Sequence, residues 1–349
     1  MKTDIIIQEI LSKFQKRKIN FDVYIIANAQ EKTSLEYNHK VAKSDESEFF
    51  SRKEFAEIAS AIFDVFGYVK VFYSEEEFIK YVIYKDIKKN ECLIINYSRN
   101  GNFEGKKSLI PAFCDLYQLR YTGCNAFVIS LIRNKAIFTD LLLQHGVTTP
   151  PTKIYSRSEM DYESLSSTWM GKKIIIKNVY DSASIGLSDS NVFLFNKNNF
   201  DNYLRSNKQD LRNFIIQEFI DGAEYEVLVL QHQEQYHAMT PVQIVFRGGS
   251  KYINSEISNN YDYGFSITNQ DTELLQKMAT TAAQFLNIKD YARFDFRVKN
   301  GIPYLIDIAG TPYTIRHSSI AFLFKHYDFN YRDIYKVIVE CTLSNYDLS

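Results

Sequence analysis

The stretch that most constrains this chain is residues 291–318, YARFDFRVKNGIPYLIDIAGTPYTIRHS. Two runs of alternating character flank Asn300-Gly301, the pattern of two paired strands around a tight turn, and a loop follows. Successive side chains on a strand point to opposite faces. In the first run Arg293, Asp295 and Arg297 therefore share one face, and Ala292, Phe294, Phe296 and Val298 the other. In the second, strict alternation sets Leu305, Asp307 and Ala309 on one face and Tyr304, Ile306 and Ile308 on the other. The turn decides whether the aspartates meet. A two-residue Asn300-Gly301 turn pairs position 295 with 306 and separates the two aspartates. A three-residue loop, Lys299-Asn300-Gly301 with Gly301 left-handed, pairs 293 with 307 and gathers Arg293, Asp295 and Asp307 on one face. The second register is the expectation.

A chain of 349 residues implies two or three subdomains rather than one core. Its formal net charge of −1 gives no broad attraction to nucleic acid or to an anionic membrane. The first twenty residues, MKTDIIIQEILSKFQKRKIN, read as a charged amphipathic helix without the apolar run and small-residue cleavage site of a signal peptide. No apolar stretch approaches a membrane span, and a cytoplasmic location is expected. Cys92, Cys114, Cys124 and Cys341 form neither a CxxC pair nor a zinc-ligand spacing. Each is expected to be a small buried side chain in a reduced compartment.

Along the chain, apolar runs Asp22–Asn28, Tyr68–Tyr73 and Cys92–Tyr97 alternate with helical patterns over Glu48–Phe66 and Glu75–Tyr84. That order predicts a small parallel sheet with helices on its faces. The polar loop Ser98–Lys106 follows the third strand, where ligands of open α/β sheets bind. One long helix is expected over Ala126–His145, stopped by Gly146 and Pro150-Pro151. Next come a β-branched strand ending at Lys177, a small-residue loop 181–187, and strands at Phe214–Phe219, Tyr225–Gln231 and Tyr236–Phe246. The Gly- and Asn-rich segment Arg247–Gly264 reads as a loop. Helices are expected at Asp271–Leu286 and Tyr331–Cys341.

Several residues now fall into one order: Lys135, Lys177, Gln217-Glu218-Phe219-Ile220, Gly222, Glu224, Lys251, Arg293-Phe294-Asp295 and Asp307. With the segments YTGCNAFVISLIRNK, VTTPP, IIIKNVYDSASIGLS, IIQEFIDGAEYEVLV and ARFDFRVKNGIPYLIDIAGTP, the chain resembles the ATP-grasp superfamily, most closely its D-alanine–D-alanine ligase-like branch. The resemblance spans roughly residues 90–320. It implies an α/β plus α+β, ATP-grasp fold: an N-terminal parallel-sheet domain (1–124), a helical crossover with a small lobe (125–227) and a C-terminal lobe (228–349), the two lobes enclosing ATP. By the same resemblance Lys135 and Lys177 contact phosphates, and Ser184 belongs to the loop covering them. Gln217, Glu218 and Ile220 meet the adenine, and Glu224 the ribose. Lys251 sits on a closing loop, and Arg293 stabilises the acyl phosphate and tetrahedral intermediate. Asp295 and Asp307 ligate Mg²⁺, or Mn²⁺ in its place. Ser318 binds a substrate carboxyl group, with Tyr313, Arg316 and His317 around the substrate.

The implied chemistry suits these residue types. Such ligases phosphorylate a carboxylate with ATP, and an amine attacks the acyl phosphate. Divalent cations on hard oxygens and lysines offset the polyanion, and an arginine suits the oxyanion. Three departures stand out. The first strand ends in Ala27-Asn28-Ala29-Gln30 rather than the family's glycine-rich signature; Asp307-Ile308-Ala309 replaces Glu-x-Asn; and Pro312-Tyr313 replaces Pro-Gly. The first and third argue against two D-alanines, and the second leaves one Mg²⁺ with a ligand missing, which water could replace. The expectation is a carboxylate–amine ligase acting on other small-molecule substrates, with no nucleic-acid or membrane partner and a homodimer among its expected states. The alternative is a nucleotide-binding homologue with reduced or lost activity that serves as a regulatory or assembly partner.

Overall fold

The computed structural model describes residues 2–30, 48–87, 91–100, 105–156, 159, 161–180, 187–206, 213–247, 252–267 and 272–347. The first sheet contains β1 (Asp22–Ala27), β2 (Lys70–Phe72), β3 (Cys92–Tyr97) and β4 (Arg120–Tyr121) in the order β2-β1-β3-β4, all parallel. Every residue of β3 is buried, as a strand covered on both faces requires. The helices that cover it are locally specified. Ser51 and Glu54 form a reciprocal capping box at the start of the Arg52–Phe66 helix, and Gly67, at φ 75°, ends it.

The second sheet, in the order β5-β8-β6-β7, is antiparallel and contains β5 (Thr152–Ser156), β6 (Lys173–Asn178), β7 (Val192–Leu194) and β8 (Asn213–Glu218). The third and largest contains β9 (Ala223–His232), β10 (Gln235–Ala238), β11 (Val242–Phe246), β12 (Tyr263–Ile267), β13 (Tyr291–Lys299) and β14 (Ile302–Ala309). Its order is β12-β11-β9-β13-β14, and β10 also pairs with β9. Gly222 lets the chain enter β9 against β13: a Cβ there would stand 2.0 Å from the Val298 carbonyl oxygen.

The hairpin of β13 and β14 reaches the expected meeting of aspartates by another route. Asn300 (φ 53°) and Gly301 (φ 73°) form a two-residue turn closed by the pair Lys299–Ile302. That register alone would separate the aspartates. One extra residue, Ile306, enters β14 as a bulge, and beyond it Asp295 stands directly opposite Asp307 and Arg293 opposite Ala309. The three-residue loop and the pairing of 293 with 307 are thus corrected. So is strict alternation in β14. Leu305 and Ile308 both enter the core, three positions apart, while Ile306, Asp307 and Ala309 line the cavity described below, which Ile308 also borders.

Another correction concerns the helix expected over 126–145. It breaks at Asn134 into Ala126–Arg133 and Lys135–Gln144. The Asn134 side chain accepts from the Ile137 N–H, capping the second helix, a use that competes with a helix interior. Lys135 is thereby placed in a first turn. Both helices, with Thr272–Phe285, cover the apolar face of the large sheet. A division at 227/228 falls inside β9, and residues 126–144 pack on the large sheet as well as on the β5-β8-β6-β7 sheet, where Ala136 meets Ile215 of β8. The helices Ser319–His326 and Asp333–Asp347 share a core with the parallel sheet and the Thr3–Gln15 helix. In the segment 247–264 a helix, Ser255–Asn260, forms where a loop is expected. Among the described residues no helix is long and apolar enough to cross a membrane, and all four cysteines are free and buried.

Candidate active site

A cavity of about 250 Å³ opens between the β5-β8-β6-β7 sheet, the polar part of the large sheet and the loop after β3. Three neighbouring strands build its floor. Glu224 and Glu226 on β9 stand opposite Arg297 and Asp295 on β13, and Asp295 in turn faces Asp307 on β14. The result is a row of three carboxylates, Glu226, Asp295 and Asp307, crossed by cations.

Arg293 forks onto Asp295, with Nε donating to Oδ1 at 2.7 Å and Nη2 to Oδ2 at 2.8 Å. Its Nη1 lies 3.2 Å from Glu226 Oε1. Burial pushes both Asp295 and Glu226 above the usual carboxylate range, and their mutual repulsion adds for Asp295, while Arg293 opposes the rise in each. Burial acts on Asp307 in the same sense, but Lys135, whose Nζ donates to Oδ1 at 2.7 Å, wins and holds it below that range. Arg297 donates to Glu224 Oε2 at 2.7 Å and to the Ile220 carbonyl at 2.9 Å.

Lys177, at the end of β6, donates to Gln217 Oε1 at 3.0 Å, and Gln217 donates on to Thr152 Oγ1 at 2.8 Å. Burial, reinforced by Lys135, lowers the Lys177 ammonium to about 7. The C-terminal end of β8 offers a backbone acceptor. Glu218 N–H donates to the Pro151 carbonyl at 2.9 Å. The register pairs Thr152 with Gln217, so the return bond to the Glu218 carbonyl would come from the nitrogen of Pro151, which carries no hydrogen. The Glu218 carbonyl is left available to a donor such as an adenine amino group, and Ile175, Phe219, Ile220 and Ile306 supply apolar surface nearby.

Of the residues singled out in the sequence, Lys135, Lys177, Gln217, Glu218, Ile220, Glu224, Arg293, Asp295, Asp307 and Tyr313 line this one cavity. Ser184 and Lys251 lie outside the described residues. Arg316, His317 and Ser318 are not among the lining residues. Ser318 caps the Ser319–His326 helix: its Oγ accepts from the Ala321 N–H at 3.1 Å and donates to the Ile315 carbonyl at 2.6 Å. Arg316 points to solvent, 3.6 Å from Glu57 and over the Tyr331 ring. His317 packs among Tyr261, Tyr263 and Phe265, and burial lowers its pKa.

Sequence reasoning passed over Glu226, Arg297, Arg99, Lys107 and Arg133, all in the lining. Alternation carried a signal for two of them. Glu226 lies two residues beyond Glu224, and Arg297 two beyond Asp295, each on the same strand face. Arg99 belongs to the loop Ser98–Lys106, placed after the third strand where ligands bind, and tertiary folding alone brings in Lys107 and Arg133.

Asp295 and Asp307 provide facing hard oxygens, which suits a Mg²⁺ ion that retains waters. Among the described residues no three His, Cys, Asp or Glu side chains group closely enough to hold a cation, because Glu226 is drawn to Arg293 and position 309 carries no oxygen. The pair fits a cation whose remaining ligands are phosphate oxygens and water.

A family model for the "D-ala D-ala ligase C-terminus" matches residues 141–340. A D-alanine–D-alanine ligase of Polaromonas sp. (strain JS666) is 22% identical over 264 residues, 74% of this chain and 77% of that one. One from Aquifex aeolicus is 20% identical over 256 residues, 73% and 83% of the two chains. Among solved structures, the Bacillus anthracis D-alanine–D-alanine ligase complexed with ATP superposes with a TM-score of 0.68 at 15% identity, covering 94% of this chain and 99% of that one. The VanG D-Ala:D-Ser ligase of Enterococcus faecalis gives 0.63 at 14% identity, covering 93% and 100%. The fold is therefore the ATP-grasp fold of these ligases.

Proposed function

The chain belongs to the D-Ala–D-Ala ligase C-terminal family and is an ATP-using ATP-grasp ligase of the carbon–nitrogen bond-forming kind; on that premise we propose that it joins a small carboxylic acid to an amine through an acyl phosphate, with substrates other than two D-alanines. One observation carries the reading: Asp295 faces Asp307 in register, with Arg293 forked on the first and Lys135 on the second, inside a cavity that Lys177 also enters.

The chain's own groups divide the work. The Glu218 carbonyl and the apolar wall hold the base, and Glu224, fixed by Arg297, faces the ribose. Lys135 and Lys177 bind the phosphate chain. In the free protein Asp307 and Gln217 occupy their ammonium groups, so phosphate oxygens take over donors already aimed into the cavity. Asp295 and Asp307 would hold Mg²⁺, which when bound would offset phosphate charge. Arg293 is a buried, permanently charged fork, set by Asp295 and Glu226 at the place where negative charge grows on the acyl group. The reacting carboxylate attacks the γ-phosphorus, and ADP leaves. The neutral amine then adds to the acyl carbon, the nitrogen gives up one proton to the departing phosphate, and the carbon–oxygen bond breaks with its electron pair leaving on the phosphate. Tyr313, where the family carries glycine, fills the substrate side and argues against two D-alanines.

The test is a panel of amino acids and other acid–amine pairs, scored for ATP-dependent phosphate release and for product mass. A product with a new amide bond, lost in Asp295→Asn, is the expected result. Tight ATP binding without turnover for any pair, and indifferent to Asp295→Asn, would sink the ligase reading in favour of a nucleotide-binding protein.

A further inference from the structure

Arg99 stands at the substrate end of the cavity and is only 2% exposed. Its position is built rather than incidental. The buried Asn28 side chain accepts from the backbone N–H groups of both Arg99 and Asn100 and donates to Glu75 at 3.1 Å, so the end of β1 holds the loop after β3. The guanidinium lies 4.1 Å from the Tyr313 ring centre and 4.9 Å from that of Phe50. One Nη2 hydrogen goes to the Thr311 carbonyl at 3.0 Å.

One further donor is left over. Arg99 Nε is buried without a hydrogen-bond partner among the described residues, and Arg99 takes part in none of their ion pairs. A buried guanidinium left in that state is costly, and natural proteins retain such groups where a ligand completes them. Its charge has neighbours of the same sign. Lys107, whose ammonium lies 2.8 Å from Glu48, is lowered to about 7 by burial, and Arg99 and Arg133 both add to that lowering. An anion beside Arg99 would relieve this potential. The planar fork, packed over the ring of Tyr313, matches a carboxylate with two parallel N–H···O bonds. Arg293, already forked on Asp295, serves the reacting group, so Arg99 addresses a different one.

We propose that Arg99 is a specificity-determining residue that binds a second, non-reacting carboxylate, so that one of the two substrates carries an acidic group beyond the one being ligated. The inference rests on the ligase reading above. Two sources share that chemistry: the free carboxylate of an amino-acid amine, or the far carboxylate of a dicarboxylic acid being activated. Asn28 and Tyr313 are positioning residues for the fork, and they stand where the sequence departs from the family pattern.

The experiment compares free amino acids with their α-amides as amines, and dicarboxylic acids with their mono-amides as acids. Each is scored by phosphate release, and by melting shift on the protein loaded with a non-hydrolysable ATP analogue. The wild type is expected to prefer one acidic series over its amides by about 100-fold or more in kcat/KM, because a site built around a buried donor rejects an analogue that leaves it unpaired. Whichever series shows the preference identifies the source. Arg99→Gln is expected to erase the preference by raising KM for that substrate, with ATP-analogue affinity unchanged. Arg99→Lys retains the charge without the fork and is expected to restore part of the preference. Equal use or binding of acids and amides by the wild type overturns the proposal without any variant, as does a preference that survives Arg99→Gln in a protein that still melts cooperatively. A melting shift with no acid in either series overturns it as well. Failure to bind the ATP analogue is a separate result, and it removes the ligase reading itself.

Discussion

At the end of the cavity proposed for the nucleotide, the cations already have partners: Lys135 donates to Asp307, Lys177 to Gln217 and Arg297 to Glu224. At the end proposed for the substrate, Arg99 is buried but its Nε has no partner among the described residues. The two ends meet different problems. A triphosphate brings several charges, and a site that held bare lysines and carboxylates before it arrived would be unstable. Internal pairing stabilises that region, and ligand binding exchanges one partner for another. A single small substrate brings one group to each contact, so selectivity is gained by leaving one donor for it to satisfy.

The first way to break this contrast is Arg293→Ala. If Arg293 acts on developing charge, kcat falls about 100- to 1,000-fold, while ATP affinity measured by calorimetry stays within a few fold. An equal loss in ATP binding would move Arg293 to the nucleotide half. Next in size is the pH dependence of nucleotide binding. Burial and Lys135 hold Lys177 down to about 7, and bound phosphates raise it again. Above pH 7 the complex therefore holds a proton that the free protein has lost, and affinity falls as pH rises, by up to about tenfold per unit. Flat affinity between pH 7 and 9 would take Lys177 out of phosphate binding.

A smaller effect is expected for Glu226→Gln. The amide keeps a hydrogen-bond acceptor near Arg293 but removes the charge that repels Asp295. A drop in kcat of about tenfold, with protein stability retained, fits a residue that positions Arg293. No change would assign Glu226 to packing alone. The smallest effect is expected for Arg316→Ala, since the side chain is 61% exposed and its pair with Glu57 spans 3.6 Å. Such surface pairs contribute about 0–1 kcal/mol, and both kcat/KM and melting should hardly move. A fivefold loss in kcat/KM would extend the substrate site beyond the cavity.

Legibility followed the range of the interactions involved. β3 runs over Cys92–Tyr97 as read from its apolar run, since a strand buried on both faces declares itself in composition. The order of Lys135, Lys177, Glu224, Arg293, Asp295 and Asp307 was visible in the chain, and all six line one cavity. Local competition was harder to see. Asn134 can sit inside a helix or cap one, and the break it makes puts Lys135 next to Asp307. Ser318 has the same ambiguity between a substrate ligand and a helix cap, and its two hydrogen bonds belong to the cap.

The hairpin shows where the division lies. Sequence alone determined the two strands, the Asn300-Gly301 turn and the polar face of β13, because turn chemistry and alternation are local. Only the tertiary structure decided that Asp295 meets Asp307. Burying Leu305 and Ile308 in the same core demands an extra residue between them, and the bulge at Ile306 changes the register. Tertiary structure likewise decided that Arg99, nearly two hundred residues earlier, lines the same cavity, because a loop of one sheet reaches the cavity of another only once the sheets have packed.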